Sequence, residues 1–274
     1  MKLGTMVSMD MERLEQEFID LREMGFETCQ LNCWDETRFT SANAAAVKAL
    51  MKKFAVEVSA LWCGWSGPCE WNLTMGPVTI GLVPMAYRHK RLETLIKGSD
   101  FASELGVEDI ITHVGFIPNN PHDPDYPGLV GALRSLAFHC ARNGQYFLFE
   151  TGQEAPVTLL RTIEDIGTPN LGINLDPANL LMYGYGNPVD ALDVFGKYVR
   201  NVHGKDGVCP HEGTRLGDEV AIGQGKVNYP EFIRKLKAIG YDRYITIERE
   251  ISGEEQHKDI LAAKTLIEVL WAAD

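Results

Sequence analysis

Short apolar runs alternate with longer amphipathic segments along almost the whole chain. The intervening segments repeat apolar residues at helical spacing, as Leu14, Phe18 and Leu21 do, and several of them end at a glycine. Strands that are separated by helices pair in parallel, so the pattern predicts an α/β fold. The apolar runs predict eight strands, at residues 2–8, 28–34, 56–65, 109–116, 145–150, 171–176, 199–206 and 243–250.

Eight strand–helix units in strict alternation favour a closed (β/α)8 TIM barrel. The length of 274 residues is typical of one such barrel, so we expect a single domain over residues 1–274. A doubly wound open sheet is the alternative, but the first predicted strand is not followed by a G-x-G-x-x-G turn. Residues 66–83 fit neither pattern and are the best candidate for a mobile flap.

Composition narrows the classes of function. The formal net charge of −12 argues against a nucleic-acid partner, because phosphate backbones bind to basic surfaces. No apolar run reaches the roughly 18 residues that a membrane span needs. The N-terminus does not resemble a signal peptide, so we expect a cytoplasmic protein. The six cysteines show no C-x-x-C pair, and we expect them to be reduced.

Ionisable residues end five consecutive predicted strands. In a (β/α)8 barrel these ends converge on the active site. Converging carboxylates repel one another, and burial raises their pKa values, unless a cation neutralises them. No Lys or Arg ends the strands that carry the carboxylates, although Lys205 follows one of the histidines closely, so a divalent cation is the simplest neutraliser. The five residues are His113, Glu150, Asp176, His203 and Glu248.

Four of these residues form an oxygen-rich ligand set: Glu150, Asp176, His203 and Glu248. Three carboxylates and one imidazole suit Mn²⁺ or Mg²⁺, and the imidazole leaves Zn²⁺ and Co²⁺ open. Four protein ligands leave two positions of an octahedral ion for two adjacent substrate oxygens. The sequence therefore predicts a site for one divalent metal ion.

Other side chains near the predicted strand ends are candidates for contact with a substrate. Lys205 would contact a substrate oxygen, a phosphate or a metal-bound oxyanion or, equally, pair with Asp206 at the surface. Arg215 is a candidate clamp in the following loop, and His113 would contact either the substrate or a metal ligand. Aromatic rings cover the C–H faces of sugars well, with core packing as the alternative. The aromatic candidates are Trp34, Trp62, Trp65 and Phe116.

Five segments together give the chain a family resemblance. They are FLFETG (147–152), LGINLDPANL (171–180), VRNVHGKDG (199–207), IGQGKVNYPEFIRKLKAIGYD (222–242) and YITIERE (244–250). The chain resembles the xylose-isomerase-like TIM-barrel superfamily, in particular its sugar phosphate isomerase/epimerase group. Each segment alone is a weak signal, whereas the combination is specific and covers nearly the whole chain.

The resemblance implies a carbohydrate substrate and a mechanism. Glu150 and Glu248 would be an acid/base pair that faces the substrate from two sides. The metal would chelate two neighbouring oxygens of a ketose and hold the cis-enediolate that forms when one glutamate removes a proton. Return of a proton to the opposite face is epimerisation, and return to the next carbon is isomerisation. Relatives are often dimers or tetramers, so the resemblance leaves open whether this chain forms a homo-oligomer.

The chain departs from two branches of this superfamily at residue 179. Apurinic endonucleases hold three zinc ions and carry a D-x-x-H motif where this chain has Asp176 and Asn179, which argues against a repair nuclease. The ketose 3-epimerases also carry that histidine; Asn179 would hydrogen-bond a substrate hydroxyl but is no general acid. A lyase or hydratase acting on keto-sugars, 3-keto-glycosides or keto-inositols stays open, as does a non-catalytic sugar-binding barrel.

Overall fold

A computed structural model describes residues 1–273 and shows a closed barrel of eight parallel strands. The order around the barrel is β1-β10-β7-β6-β5-β4-β3-β2, while β8 and β9 form a separate antiparallel pair. The predicted (β/α)8 TIM barrel is confirmed, and the open doubly wound sheet is wrong. The strands are β1 Lys2–Ser8, β2 Thr28–Cys33, β3 Glu57–Cys63, β4 Asp109–Thr112, β5 Tyr146–Glu150, β6 Leu171–Leu175, β7 Val199–Gly204, β8 Asp206–Gly207, β9 Glu219–Val220 and β10 Tyr244–Ile247.

Helices surround the barrel and bury their apolar faces against its strands. They are α1 Leu14–Glu23, α2 Ser41–Phe54, α3 Gly76–Thr79, α4 Met85–Leu105, α5 Tyr126–Arg142, α6 Pro156–Ile166, α7 Pro177–Met182, α8 Pro188–Phe195, α9 Tyr229–Ala238 and α10 Glu254–Ala272. Within residues 1–273, none of these helices combines the length and the apolar character that crossing a membrane requires. The final residue of the predicted domain, Asp274, lies outside the described residues.

Several strands are shorter than the apolar runs that predict them. Strand β4 ends at Thr112 and β10 ends at Ile247, so His113 and Glu248 lie just beyond the strands. The parallel ladder still holds Glu248 in place, because its backbone N–H donates to the carbonyl oxygen of Gly204 at 3.0 Å. The side chain of Glu248 is therefore positioned by β7 as well as by its own strand.

Segment 66–83, the predicted flap, contains α3 and is anchored to the body of the barrel. The buried guanidinium of Arg91 in α4 donates to the carbonyl oxygens of Thr79, Gly81 and Pro68, each at 2.7 Å. Three hydrogen bonds to a charged donor are strong, because burial leaves no water to replace them. These bonds hold the two ends of the segment, at Pro68 and at Thr79 and Gly81, to the helix beside it.

A buried ionic network closes the opposite end of the barrel. Asp109, the first residue of β4, is fully buried and accepts hydrogen bonds from Arg200 at 3.0 Å, Asn201 at 2.8 Å and Arg243 at 3.1 Å. Burial raises the pKa of Asp109, and the two guanidinium groups oppose that effect. Because β5 and β6 lie between β4 and β7 in the sheet, this carboxylate ties non-adjacent strands of the barrel together.

We expect Asp109→Ala to destabilise the protein by about 3 kcal/mol or more, because it leaves two guanidinium groups without their buried partner. Urea unfolding monitored by circular dichroism measures the change. Asp193→Ala is the matched control, since Asp193 is 70% exposed in its ion pair with Lys235 and its loss should change stability little. Equal effects of the two substitutions would contradict a structural role for the network.

Candidate metal centre and active site

Four ionisable side chains converge at the C-terminal end of the barrel. Glu150 ends β5, Asp176 follows β6, His203 lies in β7 and Glu248 follows β10. Each offers one ligand atom, and these atoms all lie within 4.8 Å of one another. The four strands are consecutive in the barrel, in the order β10-β7-β6-β5, so the closed sheet itself brings the side chains together.

A chain of hydrogen bonds fixes the tautomer of His203. An ionised Glu150 only accepts hydrogen bonds, so the amide nitrogen of Asn174 faces its Oε2. The Asn174 oxygen then accepts from Nε2 of Gln30 at 3.1 Å, and the Gln30 oxygen lies 2.8 Å from Nε2 of His203. Because an amide oxygen only accepts, Nε2 of His203 carries a hydrogen, and Nδ1 is the nitrogen that has a lone pair whenever the ring is neutral.

Nδ1 of His203 faces three carboxylate oxygens, which raise the pKa of the imidazole well above its ordinary value although burial opposes them. Nδ1 lies 3.0 Å from Glu150 Oε1, 3.0 Å from Glu248 Oε2 and 3.5 Å from Asp176 Oδ2. The Nδ1 atom and Asp176 Oδ2 are buried, and neither has a hydrogen-bond partner among the described residues. Three carboxylate oxygens and one imidazole nitrogen can lie this close together in a buried site only if a cation or a proton lies between them. These residues fit an oxygen-preferring divalent metal ion with one imidazole ligand.

The charge of the cluster affects the pKa values of its members unequally. Burial raises the pKa of Glu150 to about 7, although His203 opposes the shift. Burial also acts to raise the pKa of Glu248, but Lys205 and His203 together hold it well below its ordinary value. Two carboxylates with the same chemistry therefore differ in their affinity for a proton.

Lys205 is the cation that the cluster already contains. Its side chain is only 2% exposed, and Nζ lies 3.3 Å from Glu248, 3.8 Å from Asp176 and 2.5 Å from Glu250. The surface pairing with Asp206, one of two predicted alternatives, does not occur. The Asp206 carboxylate instead accepts backbone N–H groups of the glycine-rich turn that precedes α9.

A cavity of about 270 Å³ lies directly above the carboxylates. Five of the predicted substrate-contacting residues line it: Trp34, Trp62, His113, Asn179 and Lys205. The rings of Trp34 and Trp62 lie 5.0 Å apart and form one wall. The side wall is therefore aromatic and the floor is acidic and polar.

His113 is a neutral acceptor at the edge of this cavity. Burial lowers its pKa to about 3, so the ring carries no charge at neutral pH. Its Nδ1 lies 3.1 Å from the Oε1 atom of Gln153, which can only accept, so Nδ1 carries the hydrogen. The remaining ring nitrogen, Nε2, is an acceptor.

Three predicted substrate-contacting residues do not line the cavity. Arg215 is 70% exposed and pairs with Glu212 at 3.9 Å, because its loop directs the side chain to solvent. Trp65 is buried behind the aromatic wall, where the guanidinium of Arg91 lies 5.1 Å from its ring. Phe116 packs on Tyr183 at 5.8 Å, so it supports a cavity wall from outside.

Sequence reasoning missed several residues that build the site. Trp71 lines the cavity from segment 66–83, which has no periodicity that would place a side chain. Glu250 also lines the cavity, two residues beyond Glu248, the glutamate that the sequence predicts at the end of that strand. Gln30 and Asn174 did carry a signal, because a polar amide inside an apolar strand must find a buried partner.

Comparisons with known proteins agree with the observed fold. Residues 18–270 match the family model described as xylose isomerase-like TIM barrel. Protein MJ1311 of Methanocaldococcus jannaschii is 35% identical over 228 residues, which are 81% of this chain. The match covers 66% of that relative, so the chain spans slightly less than two thirds of its length.

Two solved structures extend the comparison to three dimensions. A xylose isomerase domain protein from Planctomyces limnophilus superposes with a TM-score of 0.91 at 35% identity, over 98% of this chain and 96% of that one. The 3-keto-D-glucoside 4-epimerase YcjR from E. coli gives a TM-score of 0.72 at 19% identity, over 98% and 97% of the two chains, and shares the fold. From the family match over residues 18–270, the chain belongs to the xylose isomerase-like TIM-barrel family.

Proposed function

We propose that this protein is a divalent-metal-dependent isomerase or epimerase of carbohydrates. The observation that carries the proposal is the position of His203 Nδ1, which faces three carboxylate oxygens at the floor of a cavity. Membership of the family and the E. coli epimerase with the same fold support a sugar substrate. The residues of the site have distinct tasks in this proposal.

The four converging side chains would hold Mn²⁺ or Mg²⁺. Carboxylate oxygens are the preferred ligands of both ions, and Nδ1 of His203 completes the set. When bound there, the ion would supply Lewis acidity that weakens the C–H bond beside a carbonyl group. The hydrogen-bond chain through Gln30 and Asn174 keeps the imidazole in its ligating tautomer.

Glu150 and Glu248 would transfer the proton. They extend from β5 and from the end of β10, which are separated in the barrel by β6 and β7, so they reach the cavity from different directions. One carboxylate removes the proton next to the carbonyl, and the other delivers a proton to the opposite face or to the neighbouring carbon. Lys205 keeps Glu248 ionised, which is the form of a carboxyl group that can accept a proton.

The walls of the cavity would orient the sugar. Trp34, Trp62 and Trp71 present aromatic surface to the C–H faces of a sugar ring or chain. The Asn179 amide offers both a donor and an acceptor to hydroxyl groups of the sugar. Nε2 of His113 would accept a hydrogen bond from a further hydroxyl group.

The proposal is tested by incubating the purified protein with a panel of ketoses and aldoses in D₂O, with Mg²⁺, Mn²⁺, Co²⁺ or Zn²⁺ added. We expect deuterium at one carbon of a sugar, observed by NMR, together with an inverted centre for epimerisation or a shifted carbonyl for isomerisation. Release of a fragment would identify a lyase instead. A protein that binds no metal and labels no sugar would contradict the proposal.

We expect Asp176→Asn to weaken binding of Mg²⁺ or Mn²⁺ about 100-fold or more, because it replaces the unpartnered Oδ2 by an amide nitrogen. The substitution keeps the Oδ1 atom that caps α7, so the fold should persist. Isothermal titration of the metal-free protein measures the affinity. Asp242→Asn, at an exposed residue outside the cavity, is the control and should bind like the parent; equal affinities of both variants would refute the ligand assignment.

We expect Glu150→Gln and Glu248→Gln each to slow deuterium incorporation by about 10²- to 10⁴-fold, because an amide is no proton carrier at neutral pH. NMR in D₂O measures the rate, and elemental analysis of each variant reports whether metal is still bound. Glu268→Gln, on the exposed face of α10, removes the same charge and should leave the rate unchanged. Parent-like exchange in either active-site variant would show that its carboxylate does not transfer the proton.

A further inference from the structure

The charged side chains that line the candidate substrate cavity are acidic, with one exception. Glu150, Glu248 and Glu250 line it, and Lys205 is the sole Lys or Arg to do so within residues 1–273. Lys205 is already engaged, since its ammonium lies 2.5 Å from Glu250 and 3.3 Å from Glu248. The lining therefore offers no uncommitted cationic side chain to a second anion such as a phosphate group.

The glycine-rich turn next to the site is also occupied. Successive backbone N–H groups in such a turn form a concavity that binds phosphate in many proteins. Here Gly223 and Gly225 donate to Oδ2 of Asp206 at 2.9 Å and 3.0 Å, and Val227 donates to Oδ1 at 3.1 Å. A Cβ at Gly225 would lie 2.1 Å from the Asp206 carboxylate, so this close approach requires glycine there. An internal carboxylate fills the place that a phosphate would take.

We propose that the cavity accepts an uncharged, non-phosphorylated sugar and discriminates against the phosphate ester of the same sugar. This inference rests on the proposed sugar chemistry of the site and names its substrate class. Hydroxyl groups can donate hydrogen bonds to the carboxylates of the floor and the rim, whereas a phosphate brings only acceptors and negative charge. Glu250, whose side chain is 57% exposed, would meet a phosphate group first.

The inference is tested by isothermal titration of the Mg²⁺-loaded protein with matched pairs, such as D-fructose and D-fructose 6-phosphate, and with inorganic phosphate. We expect each ester to bind at least about tenfold more weakly than its free ketose, since like charges in a partly buried site repel strongly. An ester that binds more tightly than its free ketose would overturn the inference, as would saturable binding of inorganic phosphate in the cavity.

A pair of charge substitutions distinguishes the charge of the cavity lining from the net charge of the whole protein. Glu250→Gln removes the acid at the mouth and frees one contact of Lys205, so the preference for the free ketose should shrink about tenfold. Glu268→Gln changes the net charge equally on the exposed face of α10 and should keep the preference. An unchanged preference in Glu250→Gln, or an equal loss in both variants, counts against the role of the lining charge.

The same samples distinguish failure of this inference from failure of the proposed function. A free ketose that binds but takes up no deuterium would contradict the proton-transfer chemistry and leave the substrate class standing. A phosphate ester that binds more tightly and does take up deuterium would support the chemistry and refute the preference for uncharged sugars.

Discussion

The candidate site depends on one line of hydrogen bonds that crosses the inside of the barrel. It begins at the carboxylate of Glu150 and runs through Asn174 and Gln30 to the imidazole of His203. The direction of each amide in the line is fixed by the group before it, so the hydrogen on Nε2 of His203 is a consequence of a carboxylate in the same cluster. The proposed ligand and its orienting groups are thus one unit, built by four different strands.

This unit is stable only if its charge is compensated. Lys205 balances part of it from the side of Glu248, and within residues 1–273 no Lys or Arg pairs with Glu150, which agrees with the opposite directions of the two pKa shifts. The asymmetry gives the cluster two distinct carboxylates, one that retains a proton readily and one that stays ionised. Sites that move a proton between two positions commonly need such a difference.

The sequence predicts the parts of this arrangement that depend on the topology of the barrel. Once eight strands close in parallel, the residues at consecutive strand ends must converge, which places Glu150, Asp176, His203 and Glu248 together. The barrel topology does not determine in the same way where the side chain of a loop residue lies. Trp71 reaches the cavity from segment 66–83, which Arg91 of α4 anchors, whereas Arg215 turns to solvent and pairs with Glu212 of its own loop.

Polar side chains inside apolar strands indicate buried partners without identifying them. Gln30 and Asp109 each stand in or beside an apolar strand, where a polar side chain is costly without a partner. Their partners come from strands far away in the chain, so the sequence indicates that partners exist without saying which they are. Knowledge of the barrel order supplies that missing information.

The junction of β6 and α7 divides two tasks between neighbouring atoms. Asp176 points one oxygen at the cluster and caps the helix with the other, and that cap uses only the backbone N–H of Asn179. The side chain at position 179 therefore faces the cavity without any duty in holding the helix or the carboxylate. A change of side chain at this position would therefore alter the cavity wall and leave the helix cap and the Asp176 carboxylate in place.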